Sequence, residues 1–329
     1  MADRTEHQAL SVTAPARLHL GFIDLNGELG RRYGSIGLAV DAPSTRLTVR
    51  RASQDSARGP ESARALKAIA HLRRAFDLTG AYDVTIERAI PAHAGLGSGT
   101  QLALAVATAA LRLSGVRHPL EIIGTLMDRG RRSAIGMASF EKGGFIVDGG
   151  KGGSDAPPPV LIQTAMPEDW RIILVLDRSA TGVHGDRENE AFAALPPMSR
   201  SAAAHLSHLV VMQAVPALME ADLTTFGTAI SEIQAEVGKH FASAQGGSPW
   251  SNPKVGDISR KLAASGAVGI GQSSWGPTGF AFVESEKTAA ALFQSFAQDA
   301  KAQGLELMVV AGRNTGAAVE IRNAVETGQ

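Results

Sequence analysis

Between residues 90 and 113 the chain reads Ile90-Pro91-Ala92-His93-Ala94-Gly95-Leu96-Gly97-Ser98-Gly99-Thr100-Gln101 and continues into a mostly apolar stretch ending at Leu113. No other segment constrains the fold as tightly. Gly95, Gly97 and Gly99 permit backbone conformations barred to other residues, so several N–H groups can turn toward one anion. The helix expected from about Gly99 to Leu113 adds unpaired N–H donors and the positive end of its dipole. Ser98 and Thr100 add hydroxyl donors. The loop is not G-x-x-x-x-G-K-[ST], and its evenly spaced glycines are not G-x-G-x-x-G. Its residues suit a phosphate or pyrophosphate; they would also serve a tight strand-to-helix turn that needs glycine.

The rest of the chain sets bounds on function. Its 329 residues are enough for about two domains with sizeable cores. The 32 Lys and Arg cancel the 32 Asp and Glu, leaving no global field for nucleic acid or an anionic membrane. The clusters Arg31-Arg32 and Arg129, Arg131, Arg132 remain able to bind small anions. Absence of cysteine excludes disulfides, thiolate metal sites and a thiol nucleophile. Met1–Gln8 lacks the apolar run of a secretory signal. The most apolar stretch, Gln101–Leu113, is far short of the roughly 20 residues of a membrane span. A soluble, cytoplasmic protein with no nucleic-acid or membrane partner is expected.

No repeat or low-complexity tract is present. Gln8–Arg17 leans toward strand, and Ile36–Val40 and Thr45–Arg50 read as two strands parted by a turn at Pro43. Ser62–Phe76 places Leu66, Ile69, Ala70, Leu72 and Phe76 at helical spacing. Tyr82–Glu87 alternates like a half-buried strand; Glu121–Asp128 reads as helix and Phe145–Asp148 as strand. The strongest break in composition is the Gly- and Pro-rich stretch 149–159. Beyond it come strands Val160–Gln163 and Arg171–Leu176, then a helical region Ser199–Phe241 interrupted at Pro216. The last third alternates helix Lys254–Ala264, strand Gly279–Val283, helix Lys287–Ala302 and strand Leu305–Val310. The fold class is α+β or α/β, with a domain boundary between 150 and 185.

Pro91-Ala-His-Ala-Gly95-Leu96-Gly97-Ser98-Gly99 resembles the phosphate-binding loop P-x-x-x-G-L-G-S-S-A of the GHMP kinase superfamily. Ala14-Pro15-Ala-Arg17-Leu-His19-Leu-Gly21 resembles its N-terminal substrate strand, and Gly269–Gly279 stands where it has a late glycine-rich motif. The resemblance spans nearly the whole chain. It implies a GHMP-kinase-like two-domain fold: a ribosomal S5 domain 2-like domain over 1–165 carrying the loop, a ferredoxin-like α+β domain over 166–329, and a site between them. Two departures from the kinases stand out. Many carry S-G-x-D, whose Asp acts near the accepting hydroxyl; here Ser133-Ala134-Ile135-Gly136 puts glycine there, which can neither accept a proton nor balance a cation. The late motif also carries Gln272-Ser273-Ser274-Trp275 where kinases usually have small residues.

One branch of the superfamily matches these departures. Arg17–Gly27, Gly30–Gly37, Arg132–Gly150 and Gly271–Pro277 resemble the corresponding strings of the β-ribofuranosylaminobenzene 5′-phosphate synthase family. The resemblance implies a decarboxylating C-riboside synthase, a glycosyltransferase of the phosphoribosyltransferase type. It would condense phosphoribosyl pyrophosphate with 4-aminobenzoate or 4-hydroxybenzoate, releasing CO2 and pyrophosphate, on the way to methanopterin-type one-carbon carriers. It implies no organic cofactor and a homodimer, and magnesium can enter with the pyrophosphate. The alternatives are an ATP-dependent small-molecule kinase on the same scaffold and a non-catalytic binding protein that kept the fold.

Such chemistry needs a neutralised leaving group, a held 5′-phosphate and an arene in near-attack geometry. Gly95, Leu96, Gly97, Ser98, Gly99, Thr100 and Gln101 are the expected pyrophosphate cradle. Arg17, Arg31 and Arg132 are candidates for phosphate or carboxylate, because guanidinium forks match both. His19, two residues after Arg17, would share its face of a strand and move a proton, donate to phosphate or serve structure. Glu141 and Asp148 are candidate acids, bases or magnesium ligands, or partners of a neighbouring Arg. Asp24 and Asn26 would bind ribose hydroxyls or form a turn. Ser133, Ser273 and Ser274 fall in the resembling motifs as substrate contacts. Trp275 would stack on the arene from an exposed loop, or pack in the core. His184, Asp186, His205 and His208 raise a metal question, but no third ligand completes a set and no metal site is expected.

Overall fold

The computed structural model describes residues 8–179, 182, 190 and 192–323. Two long antiparallel strands, β1 (Gln8–Asp24) and β2 (Gly34–Ala52), form its spine. Their register shifts where Ser44 faces Pro15 but Val40 faces Ala16, so Asp41, Ala42 and Pro43 bulge out of β2. The turn expected at Pro43 is thus a bulge inside one strand, a position that tolerates a residue with no N–H to donate. The two halves of β2 serve different neighbours. Ser35–Leu38 pairs with β5 (Phe145–Asp148), and Arg46–Ala52 pairs with β4 (Ala81–Arg88).

Short β3 (Ser56–Arg58) runs parallel to β4, and β6 (Val160–Thr164) pairs with β5, so the stretch 149–159 is a loop within this sheet. Two helices, α1 (Ser62–Phe76) and α2 (Ser98–Leu113), share a core with Leu10, Val12, Ala14, Leu47 and Val49 of the sheet. Helix α2 is buried around almost its whole circumference, as a helix apolar on every side must be. Two short helices follow, α3 (Leu120–Leu126) and α4 (Ile135–Glu141).

The second sheet contains β7 (Arg171–Leu176), β8 (Val268–Gln272), β9 (Gly279–Val283) and β10 (Glu306–Ala311), all antiparallel in the order β10-β7-β9-β8. Counted from β7 this is 4-1-3-2, the ferredoxin-like arrangement. Between β7 and β8 come α5 (Arg200–Leu209), α6 (Val215–Met219), α7 (Leu223–Phe241) and α8 (Pro253–Ala264), and α9 (Glu286–Ala302) joins β9 to β10. Pro216 does not interrupt the helical region. A π-turn at Val210–Ala214, in which Val215 N donates to Val210 O, leads straight into α6 and takes up Pro216, whose missing N–H and ring would break a regular α-helical ladder. The chain leaves the helix at Ala221, and Asp222 then caps α7 by accepting from Thr225 N. Arg200–Met219 has the length and apolarity of a membrane span, yet Leu206, Leu209, Val210, Ala214 and Leu218 are buried in the core.

That core joins the two sheets. Ala16, Leu18, Leu20 and Phe22 of β1 meet Ile172, Leu174, Phe226, Ile230, Phe280 and Phe282 in one cluster. The final strand, β11 (Ala318–Asn323), returns to the first sheet and pairs with β1. The second sheet is thereby tied into the first at both of its chain ends.

Candidate active site

The glycine-rich loop lies where the two sheets meet. Gly95 and Gly97 both adopt positive φ, and a side chain at either would collide. A Cβ on Gly95 would stand 2.4 Å from Ser273 O, and one on Gly97 3.0 Å from Arg17 Cγ. Arg17 N donates to Leu96 O at 3.1 Å, and Arg17 Nη1 donates to Gly95 O. The β8–β9 turn closes over the same segment. Ser273 Oγ accepts from His19 N at 2.9 Å and donates to Gly95 O at 2.7 Å, while Thr278 Oγ1 donates to Ala94 O at 2.7 Å. The loop's carbonyls at Ala94 and Gly95 are thus turned into the protein. Helix α2 begins at Ser98, its Thr100 and Gln101 amides donate to Gly97 O at 3.1 Å, and the Ser98 and Gly99 amides stand at the open end of the helix.

Arg17 and His19 leave β1 on the same side. The His19 ring stacks at 4.5 Å from Phe22, is 4% exposed, and neither ring nitrogen has a partner among the described residues. Burial, with the positive charges of Arg17 and Arg132, lowers its pKa to about 3. It is a neutral imidazole at any physiological pH.

Arg132 reaches the same place from the turn before α4. Its guanidinium carbon lies 4.5 Å over the Phe192 ring, a ring that also meets Phe22 at 5.6 Å, Tyr33 at 5.8 Å and Trp275 at 5.3 Å. Arg32, Tyr33, Arg132, Phe192, Leu195 and Pro197 line a cavity of about 410 Å³, within the usual size of small-ligand pockets. Arg32 and Arg31, inseparable by sequence, have different places. Arg31 is fastened to the carbonyls of Gly149 and Gly150 at 2.7 and 2.8 Å, and Arg32 faces the cavity.

Several expected substrate contacts are occupied by the fold instead. Ser133 and Ser35 donate to Asp148 Oδ2 at 2.8 and 2.7 Å, and Ala134 N and Gly150 N complete four bonds to that carboxylate. Burial pushes the Asp148 carboxyl up against the pull of these donors, and the cluster fixes the turn that aims Arg132. Asp24 accepts from Asn26 N and Gly27 N, and Asn26 Nδ2 donates to Met198 O at 2.7 Å. Both make the turn rather than face the cavity. Gln101 Nε2 donates to Gly136 O at 2.7 Å, and a Cβ on Gly136 would meet Thr100 Cγ2 at 3.1 Å. Ser274 N donates to His19 O at 3.2 Å. Trp275 is not on an exposed loop: it is 4% exposed and packs at 4.6 Å on Phe241.

Glu141 is not brought to this place. It lines a cavity of about 740 Å³ with Leu111 and Arg112 of α2, at the far end of a helix about 24 Å long from the loop. His205 pairs with Glu232 at 2.6 Å on a helix face, and His184 and Asp186 lie outside the described residues. Residues that the sequence reading missed include Thr278, Phe192 and, on the outer side of the loop, Arg64. Only the aromatic identity of Phe192 and the helical phase of Arg64 could have flagged them.

Fold and loop together define the GHMP kinase class. Residues 63–144 match the GHMP kinases N terminal domain and residues 214–302 the GHMP kinases C terminal domain. Among solved structures, Lactococcus lactis galactokinase complexed with galactose is 15% identical with a TM-score of 0.68, covering 94% of this chain and 95% of that one. Homoserine kinase from Cytophaga hutchinsonii is 18% identical with a TM-score of 0.65, covering 95% and 97%. These share the fold. Nearer in sequence are proteins named beta-ribofuranosylphenol 5'-phosphate synthase: one from Methanothermobacter thermautotrophicus is 32% identical over 94% of this chain and 98% of its own. Another from Archaeoglobus fulgidus is 31% identical over 95% and 100%. The chain belongs to the beta-ribofuranosylphenol 5'-phosphate synthase family.

Proposed function

We propose that this protein condenses phosphoribosyl pyrophosphate with 4-hydroxybenzoate to give β-ribofuranosylphenol 5′-phosphate, CO2 and pyrophosphate. The observation that carries the reading is a run of positive charge from Arg17 on the phosphate loop, past His19, to Arg132 and Arg32 on an aromatic wall. Guanidinium groups match the phosphates and the carboxylate, and the rings of Tyr33 and Phe192 offer faces for an arene. The relatives' names specify a ribofuranosylphenol, which favours the hydroxy acid over 4-aminobenzoate.

The bond from ribose C1 to the pyrophosphate oxygen breaks with oxocarbenium character, and the leaving group carries away the electron pair. The ring carbon bearing the carboxylate forms the new bond to C1 from the opposite face, helped by electron donation from the para hydroxyl. The bond to the carboxylate carbon then breaks, CO2 leaves, and its electron pair restores the aromatic ring. Arg17 and the Ser98 and Gly99 amides at the start of α2 meet the charge that builds on the leaving group. Arg132 and Arg32 orient the carboxylate. His19, held neutral by burial and the two guanidinium groups, offers a ring nitrogen that accepts a hydrogen bond from the para hydroxyl without taking its proton.

Among the described residues no three His, Asp or Glu side chains converge. Magnesium accompanying the pyrophosphate would help neutralise its phosphate oxygens. A kinase reading has less support: Gly136 replaces the acidic residue, and Asp148 is fully engaged by its four donors.

Two variants test the assignment. Arg17→Met is expected to lower kcat by about 100-fold or more, and Ser98→Phe to abolish turnover by filling the cradle. Near-normal rates and near-normal binding of phosphoribosyl pyrophosphate in both would contradict it.

A further inference from the structure

Three arginines within four positions are sent to three different places. Arg131 pairs with Asp128 at 2.6 Å, Arg132 turns to Phe192, and Arg129 folds back over the first turn of α2. There it meets Arg64 of α1. A Cβ on Gly99 would lie 2.7 Å from Arg64 Nη2 and 3.7 Å from Arg129 Nη1, so glycine at this position lets two guanidinium groups approach the start of the helix. Lys67 and His71 of α1 line the same cavity, of about 210 Å³.

Counter-charge here is sparse. Arg64 holds Glu61 at 2.8 Å, Asp128 is taken by Arg131, and Arg129 Nε is buried with no partner among the described residues. Two guanidinium groups kept together repel unless an anion lies between them. Their forks and the Gly99 amide at the start of α2 form a set of donors suited to phosphate oxygens.

We infer that this pocket binds the distal phosphate of the pyrophosphate leaving group, with Arg64 and Arg129 as its principal ligands and Lys67 at its rim. The inference rests on the synthase reading. In that reaction the attacking arene carbon and the leaving oxygen stand on opposite sides of ribose C1. The aromatic wall lies on the inner side of the loop, Arg17 lies against Gly97, and the outer pocket begins at Gly99. The leaving group therefore extends from the cleft past Gly97 to the arginine pair, which meets its growing charge and holds it away from the newly formed bond.

The test is calorimetric titration of pyrophosphate, and separately of ribose 5-phosphate, into the wild-type protein and Arg64→Met, Arg129→Met and Lys67→Met variants. No arene is present, so binding is read without turnover. Pyrophosphate affinity should fall about ten-fold or more in the two arginine variants and about three-fold for Lys67→Met, whose exposed position leaves the fold undisturbed. Ribose 5-phosphate affinity should stay within about two-fold. Unchanged pyrophosphate affinity in all three variants would overturn the inference, as would a fall confined to ribose 5-phosphate, which would assign the pocket to the 5′-phosphate. Loss of pyrophosphate binding in variants of a wild-type protein that releases no CO2 would support the pocket and overturn the synthase reading alone.

Discussion

Gly136 stands where the resembling S-G-x-D motif of many GHMP kinases carries aspartate. Aspartate there would have to place its Cβ against Thr100 Cγ2 and disturb the segment whose carbonyl is held by Gln101. Gly136→Asp should cost about 1–3 kcal/mol of stability, lower synthase turnover and confer no ATP-dependent phosphorylation; thermal melts with both assays check it. His19 gives a second prediction at this scale. Its pKa is about 3 in the folded protein and near 6.5 when unfolded. Between those values the unfolded chain binds the extra proton, so stability falls as pH drops through the window. At pH 5 the wild type should have lost about 2 kcal/mol relative to pH 7 through this group, and His19→Asn should lack that loss. Parallel melts at the two pH values that fell equally for both proteins would contradict it. The placement of Arg17 and His19 on one face was legible from strand alternation. Trp275 was not: its glycine and serine neighbours suggested exposure, but Phe192 and Phe241, distant in sequence, bury it.

Among the elements, the β8–β9 turn is the device that joins the second sheet to the phosphate loop. Ser273→Ala would leave His19 N without its acceptor and should cost about 1–3 kcal/mol, read as a lower urea midpoint at unchanged slope. An unchanged midpoint would mean that the clasp carries no stability. Helices and strands with clean periodicity were readable: Ser62–Phe76, Phe145–Asp148, Arg171–Leu176 and Gly279–Val283 were expected at their observed bounds. Elements set by distant partners were not. β8 reads Val-Gly-Ile-Gly-Gln, too rich in glycine for strand propensity, and it exists because β9 pairs with it. The bulge at Pro43 looked like a turn because local sequence cannot register that β1 runs unbroken beside it.

For the molecule as a whole, placement of the site follows from topology. The long strand β1 passes from the α1–α2 core into the core shared with the second sheet, carrying Arg17 and His19 across the junction. Arg132 arrives from the turn before α4, and the clasp arrives from β8–β9. Three motifs far apart in sequence thereby enclose one cleft, and their common purpose was visible in sequence only through family resemblance. Their geometry was not, because Glu141, Asp24 and Arg31 sit in the same strings as Arg17 and Arg132 yet serve turns or lie elsewhere. The central claim is the decarboxylating condensation, and one incubation tests it most directly. Purified protein is given phosphoribosyl pyrophosphate and carboxyl-labelled 4-hydroxybenzoate, with and without magnesium, and labelled CO2 and pyrophosphate are followed together. Release of the two in equal amounts, dependent on both substrates, is the predicted result. Folded protein that releases neither, with 4-aminobenzoate equally silent, would contradict the account.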